Sequence, residues 1–191
     1  MKVPPNRYRA IRDALHSLDD TLPGKFEITR EGIVHDPVSP NGHHELTRLL
    51  LRRRLEKVMP NELLAHNGTP DVEDEREAIL RHPDVMVIAW EDLDTEGSID
   101  PRTVLAAIEI VSRSNPDNDW VGKVRDYALM GIPVYAVFDP RTGTGAVFTD
   151  IHPTPSGPRY ATRKDFVYGA DVTIADWTIP TQGLPLYDRT T

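Results

Sequence analysis

Residues 106–143 read AAIEIVSRSNPDNDWVGKVRDYALMGIPVYAVFDPRTG, and this stretch decides the fold. It begins inside an apolar run, 104–111, that is hydrophobic on both faces except for Glu109, the pattern of a central strand covered on both sides. A helix is predicted from about Asp119 to Met130. Gly131 stands where a left-handed residue ends a helix, and Pro133 just beyond cannot continue one. VYAVFD (134–139) is a second buried strand. PRTG (140–143) is a turn, and GAVFTD (145–150) pairs back on that strand as a hairpin.

Working outward, HPDVMVIAW (82–90) is another apolar strand with Asp84 at its start, joined to the Glu109 strand by the acidic EDLDTEGSIDPRT (91–103). Residues 7–18 have the spacing of a short amphipathic helix. Residues 22–37 read as a hairpin, with Phe26 and Ile28 alternating against polar neighbours. Residues 39–60 form the strongest predicted helix. Leu46, Leu49, Leu50 and Leu55 line one side, Ser39 or Asn41 can cap it, and Pro60 stops it. The stretch 61–81 is polar and acidic, and its middle, DVEDERE (71–77), is expected to be loop or an exposed helical turn. Residues 157–180 read as one or two edge strands and a loop, and the Pro-containing tail is expected to pack loosely. The order of these elements predicts a mixed sheet flanked by helices, of the α/β or α+β class, in a single domain over residues 1–191 with its core at about 26–168.

Composition narrows the function. An apolar fraction of 39% is that of a globular chain, and no cysteine is available for disulfides or thiolate metal sites. No run approaches a membrane span and the N-terminus lacks an apolar signal core, so a cytoplasmic location away from membranes is expected. A net charge of −8 argues against a broadly basic nucleic-acid surface, so any such binding needs a cation or a local patch. Arg48, Arg52, Arg53, Arg54 and Lys57 form one such patch, although a run of this kind is more often a solvated helix face. Neither glycine-containing loop carries a P-loop or dinucleotide pattern.

The chemistry lies in Asp84, Glu109 and Lys123. A carboxylate in an apolar strand is costly to bury unless it is paired or holds a metal. Phosphodiester hydrolysis needs an activated water and neutralised phosphate charge, which Mg²⁺ or Mn²⁺ supplies from oxygen ligands while keeping several waters. Asp84 and Glu109 can provide the carboxylates, the backbone carbonyl of Ile110 a further ligand, and Lys123 a charge for water or phosphate. Against this, Lys123 could pair with Asp119 one turn away, Tyr127 could simply pack, Trp90 and Trp120 fit core or sheet-edge packing, and Ser112 and Ser114 fit helix capping. Adjacent His43 and His44 point in different directions and do not make a zinc pair.

Together FEITREGIV, SPNGHHEL, HPDVMVIAW and the 106–143 segment resemble the Uma-two family of restriction endonucleases, within the PD-(D/E)XK nuclease superfamily. The resemblance covers roughly residues 26–166. It implies a four-stranded mixed core sheet and metal-dependent cleavage of nucleic acid. Pro83-Asp84 matches the first half-motif and Glu109 the second acid. The usual lysine position, two residues later, is Val111, and Lys123 matches a lysine displaced onto the following helix. An additional acid falls on Glu45 or Glu27, and a homodimer is expected by analogy. The implied activity is a Mg²⁺- or Mn²⁺-dependent DNA endonuclease. The rival readings are a catalytically weak binding module, favoured by Val111 and the acidic charge, and a hydrolase of RNA or small phosphate esters.

Overall fold

The apolar runs at 85–89, 106–110 and 135–139 become the centre of a six-stranded sheet. The structure, a computed structural model, describes residues 4–19, 24–36 and 42–187. In chain order the elements are α1 (Pro5–Asp19), β1 (Lys25–Thr29), β2 (Gly32–Asp36), α2 (Gly42–Leu55), β3 (Leu63–His66), β4 (Val72–Asp74), β5 (Ile79–Arg81) and β6 (Val85–Ala89). There follow α3 (Trp90–Leu93), β7 (Ala106–Ile110), α4 (Val124–Met130), β8 (Tyr135–Asp139), β9 (Thr144–His152), β10 (Arg159–Val167), β11 (Asp171–Ile174) and β12 (Trp177–Pro180). A π-helical stretch, Asn118–Lys123, runs directly into α4.

The large sheet has the order β10-β9-β8-β7-β6-β3. Its pairs are antiparallel except β7 with β8, which run parallel because the crossover through the π stretch and α4 returns the chain to the same end. The expected mixed sheet with flanking helices is therefore present, with six strands rather than four. A second sheet, β2-β1-β5-β4, and the hairpin β11-β12 complete the β-structure among the described residues.

Strand alternation sorts the core into two layers. Val85, Val87, Ala106, Ile108, Ile110, Ala136 and Phe138 face α2 and the β11-β12 hairpin. Met86, Ile88, Ala107, Tyr135 and Val137 face Tyr127 and Met130 of α4 and Val72 and Ile79 of the second sheet. By the same alternation Asp84 and Glu109 belong to the α4 side. The pairing of Val85 with Ile108 sets them directly across from one another. No described helix is long and apolar enough to cross a membrane.

Four expectations are corrected. The middle of the 61–81 stretch holds the strand β4, between β3 and β5, because Leu64, Val72, Ile79 and Leu80 are buried among polar neighbours. Helix α2 buries His44, Thr47, Leu51 and Leu55, while Leu46 and Leu49 are exposed and the helix ends at Leu55, short of Pro60. The leucine-rich run offers more than one apolar stripe, and hydrogen bonds from His44 and Thr47 let polar residues occupy the inner one. The proposed caps Ser39 and Asn41 lie outside the described residues. As far as Tyr187 the tail packs firmly, with Thr181, Leu184 and Tyr187 all buried, and residues 188–191 lie outside the described residues. Trp90 is 62% exposed rather than packed, its indole N–H bonded to the Asn61 carbonyl.

Gly145 of β9 stands between Phe138 and Phe166 on its two neighbouring strands, whose rings are 5.0 Å apart. A Cβ at this position would overlap the Phe166 ring and the Val137 carbonyl oxygen. Gly145→Ala is accordingly expected to lower stability by about 1–3 kcal/mol, as an overpacked core does, measured as a lower midpoint in urea unfolding.

Candidate active site

Asp84 and Glu109 meet at the ends of β6 and β7, and the backbone ties them together. The Ile110 N–H donates to Asp84 Oδ2 at 2.8 Å, and the Asp84 N–H points at Glu109 Oε2 at 3.4 Å. Helix spacing brings the third member. Asp119, Lys123 and Tyr127 recur at intervals of four and so share the face turned to the sheet. Lys123 Nζ lies 2.8 Å from Glu109 Oε2, 3.1 Å from Asp119 Oδ1 and 3.8 Å from Glu27 Oε1. The Tyr127 hydroxyl donates to Glu109 Oε1 at 2.5 Å. Lys123 thus makes both the Asp119 pair and the contact with Glu109, and Tyr127 does more than pack.

A second set of charges braces this one. Arg81, at the end of β5 and fully buried, donates to Glu27 Oε2 at 2.6 Å, Asp126 Oδ2 at 2.7 Å and Asn118 Oδ1 at 2.9 Å. Gly122 in the π stretch lies alongside, with Asn118 Oδ1 3.2 Å and the Arg81 guanidinium 3.4 Å from where a Cβ would stand. On the opposite side His44 Nε2 is 3.0 Å from the Ile110 carbonyl oxygen and 3.2 Å from Asp84 Oδ2. His82 continues the wall. Its N–H donates to Glu27 Oε1, and its ring is 2.5 Å from Asp71.

These groups line a cleft of about 400 Å³ whose wall includes Glu27, Asp84, the Ile110 segment, Asp119 and Lys123. Lys25, Ser112, Arg113, Ser114, Asn115 and Tyr187 also line it. Glu109 sits just behind the lining, 1% exposed, with Lys123 between. Of the two alternatives for an additional acid, Glu27 lies in the cleft wall, whereas Glu45 is partly exposed and paired with Arg48. Ser112 and Ser114 are also on the wall. Ser112 Oγ accepts from the Asn115 N–H within the loop, and Asp117, which precedes the π stretch, offers no side-chain cap.

Electrostatics follow from crowding carboxylates in a dry place. Burial pushes the Glu109 carboxyl well above its usual range, and Asp84, Asp119 and Glu27 add to this against the pull of Lys123. Asp119 moves the same way for the same reasons. Burial would lower Lys123, but Glu109, Glu27, Asp119 and Asp84 outweigh it and keep the ammonium protonated. Burial would raise Asp84 too, yet the His44 hydrogen bond and charge, with Lys123, hold it well below the carboxylate range. His44 itself is raised, because its contact with Asp84 overcomes desolvation.

A divalent ion fits the chemistry of this donor set. Asp84, Glu109 and the Ile110 carbonyl are hard oxygen donors. Glu27, Glu109 and Asp119 all lie within 4 Å of the single Lys123 ammonium, while Arg81 pairs Glu27 and Asp126 and Arg125 joins it on Asp126. Among the described residues no three His, Asp or Glu side chains are grouped as ready metal ligands, so two carboxylates and a carbonyl are what this corner offers. Several residues of the cluster escape sequence reasoning. The four-residue spacing of Asp119, Lys123 and Tyr127 was a usable signal, whereas nothing in the local sequence marks Arg81, Asp126 or Tyr187 as site residues.

The model of the Uma2 family, described as "Putative restriction endonuclease", matches residues 12–178. No curated protein matches. A solved structure from Anabaena variabilis ATCC 29413, described as a putative nuclease belonging to DUF820, shares 19% identity with a TM-score of 0.60. The alignment covers 80% of this chain and 84% of that one. At that identity the likeness establishes the fold.

Arg81→Met removes the cation but keeps an apolar side chain of similar length, leaving Glu27 and Asp126 buried without it. Stability is expected to fall by about 3–5 kcal/mol at neutral pH, read by urea unfolding. Burial raises the Glu27 carboxyl, but Lys123 and Arg81 together hold it below its ordinary 4.5. Its contribution is therefore present above that value and lost in acid, so the difference between wild type and variant should shrink as pH falls below 4.5.

Proposed function

This chain belongs to the Uma2 family, and from that premise we propose that it is a Mg²⁺- or Mn²⁺-dependent endonuclease acting on DNA. The observation that carries the reading is the facing pair Asp84 and Glu109, with Lys123 2.8 Å from Glu109 in the wall of one cleft. Asp84, Glu109 and the Ile110 carbonyl would hold the ion. When bound, it supplies Lewis-acid activation of water and neutralises charge on the phosphate.

The chain's own groups do the remaining work. Tyr127 engages Glu109 Oε1, which fixes the carboxylate and turns Oε2 toward Lys123. The Ile110 N–H and His44 both engage Asp84 Oδ2 and hold that side chain in one orientation. Lys123 keeps a protonated ammonium at the cleft wall, where it can donate to a phosphate oxygen or to the attacking water. Lys25 and Arg113 give the cleft positive charge that an acidic chain otherwise lacks. Arg81 keeps Glu27 and Asp126 in place without lining the cleft.

The test is to titrate Mg²⁺ and Mn²⁺ into wild type, Glu109→Gln and Lys123→Met and follow nicking of supercoiled DNA, with an RNA of the same sequence in parallel. Wild type should cleave DNA only with the ion, and each variant should be slower by roughly 100-fold or more. Wild-type protein that cuts neither polymer with either ion sinks the reading in favour of a binding module. Cleavage of RNA alone transfers it to a ribonuclease.

A further inference from the structure

The C-terminal segment reaches the cleft, although it lies beyond residue 178, where the family match ends. From Pro180 to Tyr187 it is strapped across the protein. Arg54 of α2 donates to the carbonyls of Pro180 at 2.7 Å and Gln182 at 2.9 Å. Thr181 is fully buried, with its hydroxyl donating to the Ala170 carbonyl and accepting from the Gly169 N–H. Leu184 enters the core layer under α2. The strap ends on Tyr187, whose N–H donates to the Pro140 carbonyl at 2.9 Å and whose hydroxyl donates to the Val111 carbonyl at 3.0 Å.

Tyr187 lines the cleft while only 5% exposed, and the Arg113 guanidinium lies 5.2 Å from its ring centroid. Arg113 is exposed and follows directly on the Ile110–Val111–Ser112 turn that leaves β7 beside Asp84. A long arginine on an exposed loop samples many rotamers, and a ring held from two sides by the strap favours those that lie over it at the mouth.

We propose that Tyr187 is a positioning residue that holds Arg113 at the cleft mouth to bind a backbone phosphate of the nucleic-acid strand. The inference rests on the nuclease reading for the identity of that ligand. Arg113 offers a planar fork suited to phosphate oxygens, with the hydroxyls of Ser112 and Ser114 and the Lys25 ammonium on the same wall. The strap makes this cation part of the site without adding a group that touches the reacting bond.

The test measures equilibrium binding rather than turnover. A short fluorescein-labelled DNA duplex is titrated with full-length protein in Ca²⁺ over a range of salt concentrations, following anisotropy, and cleavage in Mg²⁺ is assayed separately. Arg113→Gln and Tyr187→Leu should each weaken binding by roughly 5- to 10-fold and flatten the log–log salt slope by about one. The double variant should be no weaker than either single change, because one removes what the other positions. Tyr187→Phe, which keeps the ring, should stay within about twofold of wild type. Arg113→Lys, on an exposed loop where folding is not at stake, should lose most of what Arg113→Gln loses.

Wild-type affinity and slope in Tyr187→Leu, additive losses in the double variant, or wild-type binding by Arg113→Lys would each overturn the inference. Wild-type protein that binds the duplex and never cleaves it removes the nuclease reading and leaves this one standing. Wild-type protein that does not bind DNA removes the inference itself.

Discussion

A lysine ammonium enclosed by Glu109, Asp119, Glu27 and, slightly farther off, Asp84 is the constraint around which the rest of this protein is arranged. Four carboxylates cannot share a water-poor space as anions without compensation, and Lys123 alone supplies one charge. The remainder is met by Arg81 from the second sheet, by His44 from α2 and by hydroxyl and backbone donors aimed at single oxygens. Each compensating group arrives on a different element. The packing of β5 against α4, and of α2 against the end of β7, is therefore dictated as much by charge pairing as by apolar burial.

The legible part of the architecture was the part written in local pattern. The Glu109 strand, the helix after it and the β8-β9 hairpin follow from runs of apolar residues and from Gly131 and Pro133, and they hold. The strands between residues 63 and 81 leave little local signal because they are three or four residues long, and Glu73 of β4 and Arg81 of β5 are engaged in ion pairs within the fold. The buried side of α2 differs from the leucine stripe because His44 finds the distant Ile110 carbonyl and Thr47 bonds the His43 carbonyl one turn back, so polar residues can face inward, which leucine spacing does not encode.

The site divides along the same line. Asp84 and Glu109 stand out as acids in apolar strands, and Lys123 by its place on the next helix. Arg81 reads as an ordinary charged residue at a strand end, and only the fold shows it to be fully buried among Glu27, Asp126 and Asn118. Tyr187 lies in a Pro-containing tail that looks loose on paper. Its anchoring depends on Arg54, Ala170 and Pro140, each distant in sequence. The π geometry of residues 118–123 is likewise silent in the sequence, yet it carries Asn118, Asp119 and Lys123 to the cleft.

The charge cluster also has a consequence for how the molecule comes into being. Its contacts join residues far apart along the chain, with 54 positions between Arg81 and Glu27, 45 between Arg81 and Asp126, and 91 between Asn118 and Glu27. Closing such loops costs entropy that no local turn returns, and contacts of this separation form late in a folding reaction. Until they close, the carboxylates remain hydrated and apart. A chain emerging from the ribosome cannot assemble the cluster before the helix bearing Lys123 and Asp126 has followed, so the chemistry of the cleft and the completed fold arrive together.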